Sequence, residues 1–198
     1  MGTAVIIMLT VVILVVIFFI NIYNQLIALK NRYLNAFSQI EVQLKRRYDL
    51  IPNLVETAKG YLTHEKETLD AVIKARNAAS KSLENAHSNV SDPNAIKALS
   101  QADQGLSGAL GRLNVVVEAY PELKANENMI RLHEEITTTE NKVSFARQSY
   151  NDCVMSYNTY RQSFPQNIVA GSFGHAKDAT LLEFEDSAQI QNAPKVNF

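Results

Sequence analysis

The sequence predicts an all-α protein, an N-terminal transmembrane helix followed by an antiparallel bundle of long helices. Three observations carry that expectation. The stretch "AVIIMLTVVILVVIFFI", Ala4 to Ile20, is continuously apolar apart from Thr10. Beyond it, apolar residues recur at steps of three and four, the period of a helix with one buried face, and no run alternates as a strand would. Finally, 198 residues contain only seven Gly and five Pro, too little punctuation for a chain of short elements.

The first element is the span. A helix crossing the hydrocarbon core of a bilayer needs about 20 apolar residues, and Ile22 and Tyr23 extend the run to that length. Tyr23 suits the interfacial belt. A cleaved signal peptide would need a basic leader and small residues after the apolar run. The first base is Lys30, and Asn21-Ile22-Tyr23-Asn24 is a poor cleavage site, so residues 1–23 read as an uncleaved single-pass anchor. Lys30, Arg32, Lys45, Arg46 and Arg47 all follow the span. Bases near a span are retained in the cytoplasm, which predicts a cytoplasmic bundle and a short N-terminus outside.

The bundle is expected over residues 24–164. Leu26, Leu29, Tyr33, Phe37, Ile40 and Leu44 form the stripe of a helix leaving the membrane. In "QLKRRYDLIPNLVETAKGY", Gln43 to Tyr61, Pro52 removes a helical donor and crowds the carbonyl of Tyr48. A corner is therefore expected near Asp49 to Ile51, with Pro52 opening the second helix. That helix carries Leu54, Ala58, Leu62, Leu69, Val72, Ile73, Ala79 and Leu83. Ser91 or Asp92 is placed to cap a third helix that begins with Pro93 and carries Ile96, Leu99, Leu106, Leu110, Leu113 and Val117. Pro121 disfavours helix at Tyr120. A fourth helix, from about Pro121 to Phe164, carries Leu132, Ile136, Val143, Tyr150, Val154 and Tyr157. Short connections between such helices argue for an antiparallel four-helix bundle.

Candidate chemistry is sparse. "HEKET" and "HEEIT" begin like zinc-protease helices but lack the second His four residues after the first. The single cysteine, Cys153, lies beside the stripe of the fourth helix and reads as a small core residue. Gly105, Gly108 and Gly111 fall inside a helical pattern, each costing about 1 kcal/mol relative to Ala. The expected compensation is close approach of another helix. No catalytic, metal-ligating or cofactor-binding set emerges. Lys plus Arg numbers 19 against 20 for Asp plus Glu, so no field favours nucleic acid.

Polar residues on apolar stripes are more informative. Glu140 and Arg147 fill gaps in the stripe of the fourth helix, about two turns apart and out of reach of each other. Buried charges must be paired, so partners are expected from other helices: Arg46, Arg47, Asp49, Glu56 and Arg76. Together these residues form an expected polar layer that sets helix register, or alternatively a site for a ligand or peptide. Residues 165–198 read as a tail with a possible short helix. Leu181, Leu182 and Phe184 are too apolar for a solvated tail. "PKVNF" alternates, which suits an extended peptide with Val196 and Phe198 docked on the bundle, a neighbouring copy or a partner.

The stretch from Tyr23 to Ala79 resembles the LemA family of bacterial membrane proteins. The resemblance continues in "RLNVVVEAYPELKANENM", in "TTTENKVSFARQSYNDCVMSYNTYRQSFPQNIVA" and in "APKVNF". The family often has Trp where Phe37 stands and Phe where Met129 stands, and all of these are bulky and apolar. The resemblance implies an N-terminal anchor in the bacterial inner membrane, a LemA-like four-helix bundle and no established catalytic activity. Members often occur beside membrane metalloproteases of HtpX type or other envelope-stress proteins, which implies a partner of that class. Taken together, the expected function is a non-enzymatic, homo-oligomeric scaffold or adaptor. The alternative is a sensor acting through the polar layer.

Overall fold

The structure is a computed structural model that describes residues 2–183. The protein is all-α. Six helices are present among the described residues: α1 (Gly2–Lys59), α2 (Lys66–Ser88), α3 (Pro93–Glu118), the single turn α4 (Pro121–Lys124), α5 (Glu127–Gln162) and α6 (Gln166–Ser172).

α1 is 58 residues long, about 87 Å at helical rise. Every residue from Gly2 through Asn21 is exposed. The described residues leave that apolar surface uncovered, and it is long enough to cross a membrane. From Ile22 onward one stripe turns inward: Leu26, Leu29, Tyr33, Phe37, Ile40, Leu44, Ile51, Leu54 and Ala58 are all buried. α5 runs antiparallel along this stripe and makes the most extensive helix pairing, while α2 packs on α1 and α3 on α2. Aromatic rings form the middle of the core. Phe37 meets Tyr150 edge-on with centroids 5.8 Å apart, and Tyr33 lies 5.3 Å from Tyr157.

The expected corner at Pro52 is not formed; α1 continues through it. The physical reason is a substitute donor. Pro52 has no N–H to offer the Tyr48 carbonyl, and Arg76 Nε of α2 donates to that oxygen at 3.0 Å. The same guanidinium lies 3.5 Å from Asp49. The chain instead turns after Lys59, through Gly60 to Glu65. Arg76→Met should strand the Tyr48 carbonyl and cost about 1–3 kcal/mol. In a Pro52→Ala background the helix supplies its own N–H, and the same substitution should cost markedly less. Urea unfolding of the four members of this cycle measures the coupling; additive effects would refute the account.

Other ends follow local chemistry. The Asp92 side chain accepts from the Asn94 amide at 3.0 Å and starts α3 at Pro93. The expected fourth helix is divided. α4 stops at Lys124, and Asn126 restarts the chain as α5 by accepting from the Met129 amide at 3.1 Å. The glycines are also a correction. A Cβ built on Gly105, Gly108 or Gly111 would meet nothing within 4 Å, so among the described residues no helix packs closely on that face of α3. Cys153 is half-buried at the margin of the core.

Candidate functional site

The strongest polar feature begins at Arg47, which occupies a core position in the α1 stripe. Its side chain is 3% exposed, and its Asp103 partner on α3 is 6% exposed. Arg47 Nη1 donates to Asp103 Oδ2 at 3.3 Å, and Nη2 donates to Ser107 Oγ at 3.0 Å. The Tyr48 hydroxyl donates to Asp103 Oδ1 at 2.9 Å. Burial, and then the adjacent carboxylate, push the Tyr48 phenol upward, so it remains a donor. Arg47 Nη2 also lies 3.5 Å from Glu140 of α5. Arg47 Nε is buried with no partner among the described residues.

The expected polar residues fall into three groups. Arg47 meets Glu140, and Arg76 meets Asp49. Glu56 pairs with Lys59 on the exposed side of α1, and Arg46 is exposed. Glu140, expected to be buried, is 55% exposed, and Arg147 is half-buried. The reason is the shape of the bundle. α5 pairs with α1 but has no extended packing with α3 among the described residues, so this side of α5 borders an open seam. Sequence reasoning missed Asp103. Its signal was present: Leu99, Asp103 and Leu106 continue the steps of three and four, and the carboxylate fills the gap.

Two clefts mark the seam. One, of about 200 Å³, has Arg47, Leu54, Ser107, Gly111, Ile136 and Glu140 among its walls. It shares Asn114 and His133 with a larger one of about 530 Å³ lined by Val117, Met129 and Ile130. No group of three or more His, Cys, Asp or Glu side chains suited to a metal ion occurs among the described residues.

Below the clefts the seam is closed by the chain itself. After α6, His175 is buried and its Nδ1 lies 2.9 Å from the Tyr157 hydroxyl. Burial, and then the Lys30 charge, lower the His175 pKa. Asn158 of α5 accepts from the Ala179 amide at 2.8 Å and donates to the Ala179 carbonyl at 2.9 Å. Asn151 does the same for Leu182, at 2.9 and 3.2 Å. Leu182 is fully buried, and Ser100 of α3 donates to the Glu183 carbonyl. Val196 and Phe198 lie outside the described residues.

Comparison with known proteins places this architecture. The family model described as "LemA family" matches residues 36–198, which is the bundle and tail without the apolar span. The chain is 29% identical over 147 residues to Protein LemA of Metamycoplasma hominis, covering 74% of this chain and 63% of that protein. It is 26% identical over 163 residues to Magnetosome protein MamQ 2 of Paramagnetospirillum magneticum. Magnetosome protein MamQ of Magnetospirillum gryphiswaldense is 24% identical over 170 residues. Both of those alignments cover 75% of this chain and 60% of the relative, so the chain spans about three-fifths of the length of the curated relatives it matches. None of these names states a catalytic activity. With a match that runs from the middle of α1 to Phe198, the chain belongs to the LemA family.

Proposed function

We propose that this protein is a non-enzymatic, single-pass scaffold or adaptor of the bacterial inner membrane that self-associates through its helical bundle. The carrying observation is that one helix, α1, is both the apolar span and the central element of the bundle. Its charged centre supports the same reading, because Arg47 is held by Asp103, Ser107 and Glu140 within the chain. The family resemblance adds the partner class, a membrane metalloprotease of HtpX type or another envelope-stress protein. Crosslinking in native membranes, followed by mass spectrometry, tests this. Recovery of this chain's own copies together with an integral membrane protease is the expected result. Recovery of neither refutes it.

The bundle is proposed to be cytoplasmic. Lys30, Arg32, Lys45 and Arg46 follow the span and carry the orientation signal, while Arg47 is engaged with Asp103. A thiol placed by Ser88→Cys, at the exposed end of α2 and in a Cys153→Ser background, should resist a membrane-impermeant maleimide in intact spheroplasts. It should label after permeabilisation. Labelling before permeabilisation would reverse the orientation.

A sensor is the second reading. It draws on Arg47 Nε, which has no partner among the described residues, beside the cleft of about 200 Å³. Native mass spectrometry of the full chain in detergent would favour it by finding a retained small molecule that Arg47→Lys releases.

A further inference from the structure

We propose that residues 164–173, the turn after α5 together with α6, form a second membrane contact, an apolar pad seated in the surface of the leaflet from which α1 emerges. The inference rests on the reading that α1 crosses a bilayer.

The level of the pad follows from the helix pairing. α5 runs antiparallel to α1, so its C-terminal end points back toward the apolar span. α6 then packs on both helices. The Tyr23 ring, at the last position of the expected span, lies 5.7 Å from Phe173 and 6.2 Å from His175. His175 is in turn held by the Tyr157 hydroxyl of α5. The turn after α6 is therefore fixed beside the point where α1 passes from wholly exposed, at Asn21, to buried, at Ile22.

The chain carries no charge at this level. Charged residues make up 20% of the whole, yet none occurs in residues 1–29 or in residues 162–174. The fold brings these two charge-free stretches together. Val169 and Ala170 of the second stretch are buried, while Phe164 is 79% exposed, Ile168 55% and Phe173 61%. A single apolar residue on a surface needs no explanation. Three on one short segment, beside an uncovered span, mark contact with an apolar phase. Aromatic rings favour the boundary between headgroups and acyl chains, and apolar faces lying on a membrane reach about 5–10 Å into it. Charge returns just beyond. Lys30 and Lys177 line one cleft of about 280 Å³, and Lys30 is about 10.5 Å along α1 from Tyr23. The headgroup layer is about 5–7 Å thick on each side of the hydrocarbon, so the long Lys30 side chain reaches back to the lipid phosphates. No protein partner is needed to cover the pad, because lipid already stands at its level. Span and pad together grip one leaflet at two points.

The test uses the full chain with Cys153→Ser, at one copy per nanodisc, with a bimane on one cysteine at a time. Phe164→Cys, Ile168→Cys and Phe173→Cys report on the pad, and Ile17→Cys reports on the span. Val42→Cys, exposed on α1 about 28 Å beyond Tyr23, reports on water. Lipid with a nitroxide on its upper acyl chain should quench Ile17→Cys strongly and every pad probe at least about twofold more than Val42→Cys. Pad probes quenched no more than Val42→Cys, beside a quenched Ile17→Cys, overturn the pad and leave the span standing. An unquenched Ile17→Cys overturns the span and the pad with it. Ile168→Asp separates seating from nearness, and the exposed Ile168 side chain makes it compatible with folding. It should cut quenching at Phe164→Cys at least about twofold, with helicity by circular dichroism unchanged. Undiminished quenching means that the tether alone holds the probe near lipid, which overturns the pad. Pad probes that stay unquenched but crosslink between chains at several copies per disc mean that a second copy covers the pad, which overturns it as well.

Discussion

Replacing Arg47 with methionine is expected to destabilise the bundle by about 3–5 kcal/mol, the usual cost of removing one partner from a buried pair. The effect comes from what remains. Asp103 would keep its carboxylate in a site where only 6% of the side chain reaches solvent, with the Tyr48 hydroxyl as its sole neighbour of the original set. Ser107 would lose the guanidinium as well. Removing both charges is the informative control. Arg47→Met with Asp103→Leu replaces an ion pair by apolar volume, a change that is often neutral or stabilising. It leaves the Tyr48 hydroxyl without its acceptor, at about 1–3 kcal/mol. The double variant should therefore be more stable than Arg47→Met alone. Urea midpoints of the bundle, followed by circular dichroism, measure both. A loss below about 0.5 kcal/mol for Arg47→Met, the size of ordinary surface changes, would refute the buried centre.

The second large effect is expected at Phe37. Its side chain is 1% exposed and packs edge-on against Tyr150. Phe37→Ala should cost about 3–5 kcal/mol, the transfer term for the ring plus the cavity left behind. The site has little means of collapse. Tyr150 is fixed by its hydroxyl, which donates to the Thr180 carbonyl at 2.9 Å, so its ring cannot slide into the void without breaking that bond. The prediction therefore includes a second readout. Phe37→Ala should raise hydrogen exchange at Ala179 and Leu182, because the segment Ala179 to Leu182 is anchored on the α5 face that Phe37 supports. Unfolding monitored by urea, together with exchange at those two amides, decides it. A loss near that of an exposed residue, with exchange unchanged, would place Phe37 outside the core.

The bundle was legible where a rule concerns one helix at a time. The α1 stripe from Leu26 to Leu44 and the Asp92 cap each depend on residues within a few positions. Pro52 misled because the local rule counts only donors of the same helix, and Arg76 lies on another. Glu140 misled for a related reason. A stripe reports which way a residue points, whereas its exposure depends on whether α3 closes over it. Asp103 could have been found by following the steps from Leu99 to Leu106, as was done for Glu140. The segment from Ala179 to Glu183 was half legible. Leu182 announced burial by being apolar in a tail, but Asn151 and Asn158 look like surface residues until the backbone they hold is in place. The open glycine face was the hardest to foresee, because small residues suggest a close neighbour and none of the described helices lies close to it.

The passage of α1 through Pro52 and out of the apolar segment without a break has a mechanical consequence. Membrane proteins with a flexible linker have a swivel; this chain has a shaft. A rotation of the buried end about its own axis turns the bundle through the same angle, and a tilt at the bilayer swings the far end near Lys59 by tens of ångströms. With α1 in a bilayer as proposed, the thickness of the bilayer would set the height at which the Arg47 centre rides. In the proposed single-pass arrangement, all copies in one membrane would share that height and point the same way. Encounters between such copies would be side against side at matched level, which turns an orientational search in three dimensions into one about a single angle.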